Sequence, residues 1–314
     1  MFFQHGILDS ADTWIMHKSR FAPAFVASRA GYDVWLGNTR GNKYSHDHAG
    51  SISNYDMWNF DFEEMGDSDI TAEIDYVLKL TGQRKVAYIA HSQGTTQMFY
   101  GLSHNEAYLA ERVSVFVALG PVTNLYNCKS SLIQFFANFQ NLIADTAGLL
   151  GFYEFFPANW LTTGFMRLFC GTIPQICEFG LFLISDEDPA LNDQDRTPVF
   201  LGHFPSGTSL RSLEHYAQIL TSNKFQRMDY GTSTNRKVYG QDTPPLINLA
   251  NISQVPIAMF VGTKDQLATL DDNRVTKESL KTLTFYREYA LGHMSFLIAK
   301  DMTYFTTDVM SILA

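Results

Sequence analysis

Apolar and polar positions along the chain alternate between two rhythms. Short apolar runs bounded by turn residues, at 32–36, 86–90, 113–119 and 257–262, read as buried strands. A further run at 285–289 alternates apolar and polar like a last strand. Between the runs, residues 21–30 read as a helix. Ile70, Ile74, Val77 and Leu78 recur at helical spacing ahead of Thr81-Gly82, a helix stop. Strand and helix in alternation predict an α/β fold with a mostly parallel central sheet flanked by helices. After Gly120-Pro121 the rhythm breaks. A stretch rich in Phe and Leu, largely helical in pattern, continues to Leu246, and the sheet pattern resumes at Ile257. The expected organisation is a first core segment over 1–121, an inserted helical cap over 122–246 and a second core segment over 247–314.

His91-Ser92-Gln93-Gly94 stands where the 86–90 run ends and a helical pattern begins. A serine on a sharp strand-to-helix turn is held out above the sheet, beside the free N–H groups of a helix N-terminus. The usual form of this turn is Gly-x-Ser-x-Gly; here Ala90 replaces the first glycine and is still small. The plainer alternative is an ordinary helix N-cap. A nucleophilic serine needs a histidine to take its proton and a carboxylate to orient that histidine. Asp265 follows the 257–262 strand, and His293 follows the 285–289 strand, in the order this fold uses. Asp271 and Asp272 read instead as the N-cap and first turn of a helix. Of nine histidines, His17, His104 and His215 fall on polar or helical ground, and His46-Asp47-His48 has no third metal ligand at telling spacing. His91 reads as a support for the turn. The oxyanion hole is expected from the N–H groups of Gln93 and of Ile7, in the loop His5-Gly6-Ile7-Leu8, with Leu8 as the second choice.

These residues resemble the acid lipases, the family of gastric and lysosomal acid lipase. Gln4–Ser10 resembles that family's first oxyanion loop, and residues 31–42 are close to its signature. Residues 58–65, the serine turn at 91–96 and the stretch 205–209 are similar as well. The resemblance implies the α/β-hydrolase fold, a catalytic triad of Ser92, Asp265 and His293, and oxyanion donors at Ile7 and Gln93, in agreement with the reading of the residues themselves. It implies ester hydrolysis of neutral lipids such as triacylglycerols or cholesteryl esters, with no metal or cofactor. It also implies a cap disulfide between Cys170 and Cys177, leaving Cys128 free; three reduced thiols remain the alternative. Members of the family begin with a signal peptide and further strands, so the resemblance implies a chain that lacks its N-terminal strands. Lysosomal or secreted localisation rests on the resemblance alone, since no targeting segment is read here.

Composition narrows the partners. Net charge is −9 and no basic run occurs, which argues against nucleic acid and anionic membranes. No uncharged apolar run reaches membrane-spanning length. In the cap, Phe135, Phe136, Phe139, Leu149, Leu150, Phe152, Tyr153, Phe155, Phe156 and Trp160 form a dense apolar series. More than half are expected in the cap's own core and the rest along an acyl groove or at a lipid–water interface. Two alternatives stay open: an esterase or acyltransferase acting on smaller esters, and a catalytically incomplete lipid-binding relative. An acid optimum would require the His293 pKa to sit low, because a base must be neutral.

Overall fold

The computed structural model describes residues 1–131, 133–134, 137–138, 151, 153–157 and 185–314. Six parallel strands form one sheet in the order β2-β1-β3-β4-β7-β8. They are β1 (Phe2–Gln4), β2 (Trp35–Leu36), β3 (Val86–His91), β4 (Val113–Leu119), β7 (Ile257–Gly262) and β8 (Leu283–Tyr289). A small antiparallel pair, β5 (Glu154–Phe155) and β6 (Thr208–Ser209), lies apart from it. Helices used below are α1 (Pro23–Arg29), α2 (Ile70–Thr81), α3 (Gln93–Ala110), α4 (Leu210–Ser222) and α5 (Leu270–Ser279).

The central strands are apolar at consecutive positions because both faces of the sheet are covered. Phe2, Tyr88, Phe116 and Met259 point into one apolar cluster, and their neighbours Phe3, Ile89, Val117 and Phe260 into the other. Each large side chain removed from water contributes about 2 kcal/mol, so alternate residues of every central strand hold two layers of helices. Tyr216 and Ile219 of α4, with Phe225, Ile247 and Leu249, join the first cluster. Packing therefore runs without a break across the boundary expected at 246.

The expected elements are present with shifted ends. The first helix begins at Pro23 rather than 21, because proline fits the first helical position, where no N–H is needed. The strand expected over 32–36 is only two residues long. β2 pairs with β1, through Trp35 N–H to Met1 O and Gly37 N–H to Phe3 O, over the register Phe2–Trp35 and Phe3–Leu36. α2 ends at Thr81, as the spacing predicts. The N-cap of α5 is Thr269, whose hydroxyl accepts from Asp272 N–H; Asp271 and Asp272 both lie in the first turn. Among the described residues no helix is long and apolar enough to cross a membrane.

Candidate active site

Parallel strands put all their carboxyl ends on one edge of the sheet, where an open α/β fold builds its site. β3 delivers Ser92, β7 is followed by Asp265, β8 by His293, and β1 by the loop His5–Leu8. The strand-to-helix turn is tight: Ser92 has φ 53° and ψ −123°, a conformation costing a non-glycine residue about 1–3 kcal/mol. The turn is paid for by its neighbours: Ser92 N–H donates to Leu119 O at 3.1 Å, and Thr95 Oγ1 donates to Ser92 O at 2.6 Å.

From Ser92 a continuous chain of hydrogen bonds runs inward. Ser92 Oγ donates to His293 Nε2 at 2.8 Å, and His293 Nδ1 donates to Asp265 Oδ2 at 2.7 Å. The other Asp265 oxygen accepts the N–H groups of Leu267 and Ala268 at 2.9 and 2.7 Å. All three side chains are buried. Burial alone would push the His293 ring below its ordinary pKa; the Asp265 carboxylate, with help from Asp186, outweighs it and holds the pKa above 6.5. The low histidine pKa that an acid optimum would need is thus not what the surroundings produce. His91 packs its ring 4.7 Å from that of His293 and donates from Nε2 to the His293 carbonyl at 2.9 Å, so its side chain braces the histidine loop rather than the serine turn.

Ile7, Gln93 and Ser92 line one small recess, walled otherwise by Val122, Leu125, Ile133, Tyr216 and Leu267. Gln93 is the first residue of α3, so its N–H has no acceptor within the helix. The Gly6 loop can lie this close because Gly6 has no side chain: a Cβ there would stand 3.0 Å from Ser92 Cβ and 3.4 Å from Ser92 Oγ. Leu8 holds φ 59°, and its carbonyl accepts Ser206 N–H at 2.7 Å, which fastens the 205–209 stretch onto this loop.

Several residues that frame the loop were quoted from the sequence without a role. His5 is buried, and burial pushes its pKa down to about 4, so the ring is neutral. Its Nδ1 donates to Gly6 O at 2.7 Å and its Nε2 accepts from Asn42 Nδ2 at 3.0 Å. Asn42 also donates to Asn38 Oδ1 at 2.8 Å, which accepts Ala11 N–H at 3.0 Å. The 38–42 segment is thus a scaffold for the His5–Leu8 loop. Sequence alone shows polar residues there, not their convergence.

The remaining candidates fall elsewhere. His46 faces Glu154 at 3.2 Å on the surface. His17 is buried on Ala299 O, and His104 pairs with Asp67. Asp61, Glu63 and His215 bring three potential metal-ligand atoms within 4.8 Å of one another. Arg227 and Met228 N–H already take the Glu63 oxygens, and Arg211 stands 3.0 Å from Asp61, so the carboxylates are matched by guanidinium groups and backbone. Cys128 is free and buried, its thiol pushed up to about 12 by burial. Cys170 and Cys177 lie outside the described residues, as do Phe135, Phe136, Phe139, Leu149, Leu150, Phe152 and Trp160. Of the rest of that apolar series, Tyr153 packs against Trp58, Phe60 and Met65, Phe155 is half-buried and Phe156 is exposed.

A profile of the alpha/beta hydrolase fold matches residues 1–158. Human gastric triacylglycerol lipase (Homo sapiens) is 36% identical over 306 residues, spanning 96% of this chain and 76% of its own. Human lysosomal acid lipase/cholesteryl ester hydrolase is 33% identical over 313 residues, spanning 96% and 75%. The chain belongs to the acid lipase family. Fold likeness extends further: a soluble variant of monoglyceride lipase from Saccharomyces cerevisiae superposes with a TM-score of 0.55 at 13% identity, over 99% of this chain and 84% of that one. As an acid lipase, the protein is a carboxylic ester hydrolase.

Proposed function

We propose that this acid lipase hydrolyses neutral lipid esters, triacylglycerols or cholesteryl esters, through an acyl-enzyme on Ser92. The observation that carries the reading is the unbroken chain from Ser92 Oγ through His293 to Asp265, with links of 2.8 and 2.7 Å. Ser92 Oγ attacks the ester carbonyl carbon while His293 Nε2 takes its proton. Asp265 keeps the imidazole in the tautomer whose Nε2 is free to accept, and stabilises the imidazolium. The N–H groups of Ile7 and Gln93 hold the oxyanion; losing one such donor costs about 3 kcal/mol of barrier. His293 then protonates the leaving alcohol oxygen, and the carbonyl reforms as the C–O bond breaks. Water, deprotonated by His293, attacks the acyl-enzyme and releases the fatty acid.

The apolar walls of the recess favour an acyl chain over a charged substrate. We assign residues 122–246 to the cap and infer that exposed Phe156 on it meets the lipid–water interface. The names of the relatives favour a secreted or lysosomal setting. The test is turnover of a short-chain and a long-chain ester by the protein beside Ser92→Ala. Activity that vanishes in the variant and is stronger on the long ester supports the lipase reading. Turnover that survives in a folded Ser92→Ala protein overturns it.

A further inference from the structure

Asp186 is fully buried and has no part in the steps above, yet it touches both loops that carry the triad. Its backbone runs antiparallel beside Asp265: Gln266 N–H donates to Ser185 O at 2.9 Å and Glu187 N–H to Lys264 O at 2.9 Å, one bond on each side of Asp265. Its side chain reaches the other loop. Oδ1 accepts Met294 N–H at 3.0 Å, next to His293. On the other side of His293, Gly292 packs so closely that a Cβ there would stand 2.5 Å from Asp186 Cγ. Oδ2 accepts from Asn192 Nδ2 at 3.0 Å, and Asn192 Oδ1 accepts from Ser295 Oγ at 2.7 Å. The 185–187 segment therefore grips the acid loop through the backbone of Ser185 and Glu187, and the histidine loop through the Asp186 carboxylate between them.

We propose that Asp186 is a positioning residue for ester hydrolysis, tying the Asp265 and His293 loops into one unit and placing a negative charge behind the imidazole. The inference rests on the Ser92–His293–Asp265 reading given above. A ring held from both sides keeps its reach to Ser92 Oγ, and a misplacement of about 1 Å costs such a site about a hundredfold in rate. The charge favours the imidazolium that forms during attack. The titratable neighbours of this unit are Asp265 and His91 on the imidazole, and the exposed Lys264–Glu187 pair, 3.4 Å apart, on the stitched backbone. Burial raises the Asp186 pKa to about 6, against the pull of Asn192 and Met294 N–H, so the group is ionised from neutral pH upward.

Asp186→Ala and Asp186→Asn test this together. Both are assayed for kcat and KM on a short-chain p-nitrophenyl ester across the acid and neutral range, with fluorophosphonate labelling of Ser92 as a separate readout. The alanine variant removes the carboxylate's hold on the histidine loop, leaving the backbone bonds of Ser185 and Glu187, and is expected to lose about a hundredfold in kcat at little changed KM. In Asp186→Asn the Asn192 amide turns over and the Ser295 hydroxyl accepts instead of donating, so the shape survives while the charge goes. That variant should recover most of kcat, with its acid limb moved to lower pH, since the charge favouring the His293 proton is gone. A purely structural role would leave the limb in place. If the alanine variant fails to fold, the limb in Asp186→Asn decides. An unmoved limb, or a folded alanine variant with wild-type kcat, overturns the inference while wild-type labelling at Ser92 leaves the triad reading intact. Wild-type protein that does not label at Ser92 removes both.

Discussion

Two buried histidine–aspartate pairs stand among the described residues, and in the proposed mechanism one of them moves a proton. In the first, His293 Nδ1 faces Asp265 at 2.7 Å and Nε2 faces the Ser92 hydroxyl at 2.8 Å. In the second, His215 Nδ1 stands 3.2 Å from Asp61, near enough for an ion pair though off the line of a hydrogen bond. Its Nε2 donates to the Gln226 carbonyl at 3.0 Å. The difference lies in that last partner. A hydroxyl can donate, so the His293 ring can be neutral and offer a lone pair. A backbone carbonyl only accepts, so His215 must carry a proton on Nε2, and the carboxylate beside Nδ1 favours a second one. Burial would push His215 down; Asp61, with Glu63 behind it, holds its pKa above 6.5. The ring lies flat on Phe62, with centroids 4.1 Å apart. His215 fastens α4 to the 61–63 segment with both ring nitrogens committed, whereas the second nitrogen of His293 faces a hydroxyl.

Swapping the damage between the pairs gives the largest expected effects. His293→Ala or Asp265→Asn should cut kcat by about 10⁴-fold. His215→Ala should leave kcat largely in place and lower stability: it removes the ring stacked on Phe62 and one of the two partners of the Asp61 carboxylate, which Arg211 still answers, at a cost of about 3 kcal/mol read from urea unfolding. A His215→Ala protein that folds normally but loses turnover as severely as His293→Ala would erase the distinction.

The first pair was legible in the sequence and the second was not. Ser92, Asp265 and His293 each follow an apolar run, and a parallel sheet obliges the ends of such runs to meet. His215 and Asp61 follow no strand of the sheet; they meet because α4 packs its Tyr216 and Ile219 into the core beside Phe62. Nothing in a linear pattern records that packing. Asp186 hid for another reason: it sits in an acidic run, Asp186-Glu187-Asp188, where solvated charge is the ordinary expectation. Asn38 and Asn42 were visible as part of a recurring motif, but a polar residue's partner is fixed only once the chain closes on itself.

Proton linkage separates the pairs more finely. The rate needs neutral His293, so it should fall as pH drops through a pKa held above 6.5. Stability runs the other way. A histidine whose folded pKa is raised contributes fully below its unfolded value and loses that contribution as pH rises through the folded one. Both rings share this sign, so unfolding free energy should decline above pH 6.5 as the rate climbs. His215→Gln should flatten part of the stability decline and leave the acid limb of the rate in place. A rate profile that shifted with it would show that the two histidines titrate as one system.

The smallest expected effect concerns Arg211, which serves only the second pair. Its guanidinium stands 3.0 Å from Asp61 and 3.3 Å from Glu64, and donates to Asn59 O at 3.1 Å. Lysine keeps the charge but cannot span three acceptors, because its ammonium is a single point rather than a planar fork. Arg211→Lys should therefore cost about 1 kcal/mol in unfolding free energy and nothing in kcat. The charge on Asp61 remains answered, so α4 stays docked. Among the described residues, Tyr216, next to His215 on α4, lines the recess beside Ser92 and joins this network to it. A rise in KM on long-chain esters with kcat unchanged would locate the residual coupling there; a fall in kcat on all esters would mean that the His215 pair reaches the catalytic one.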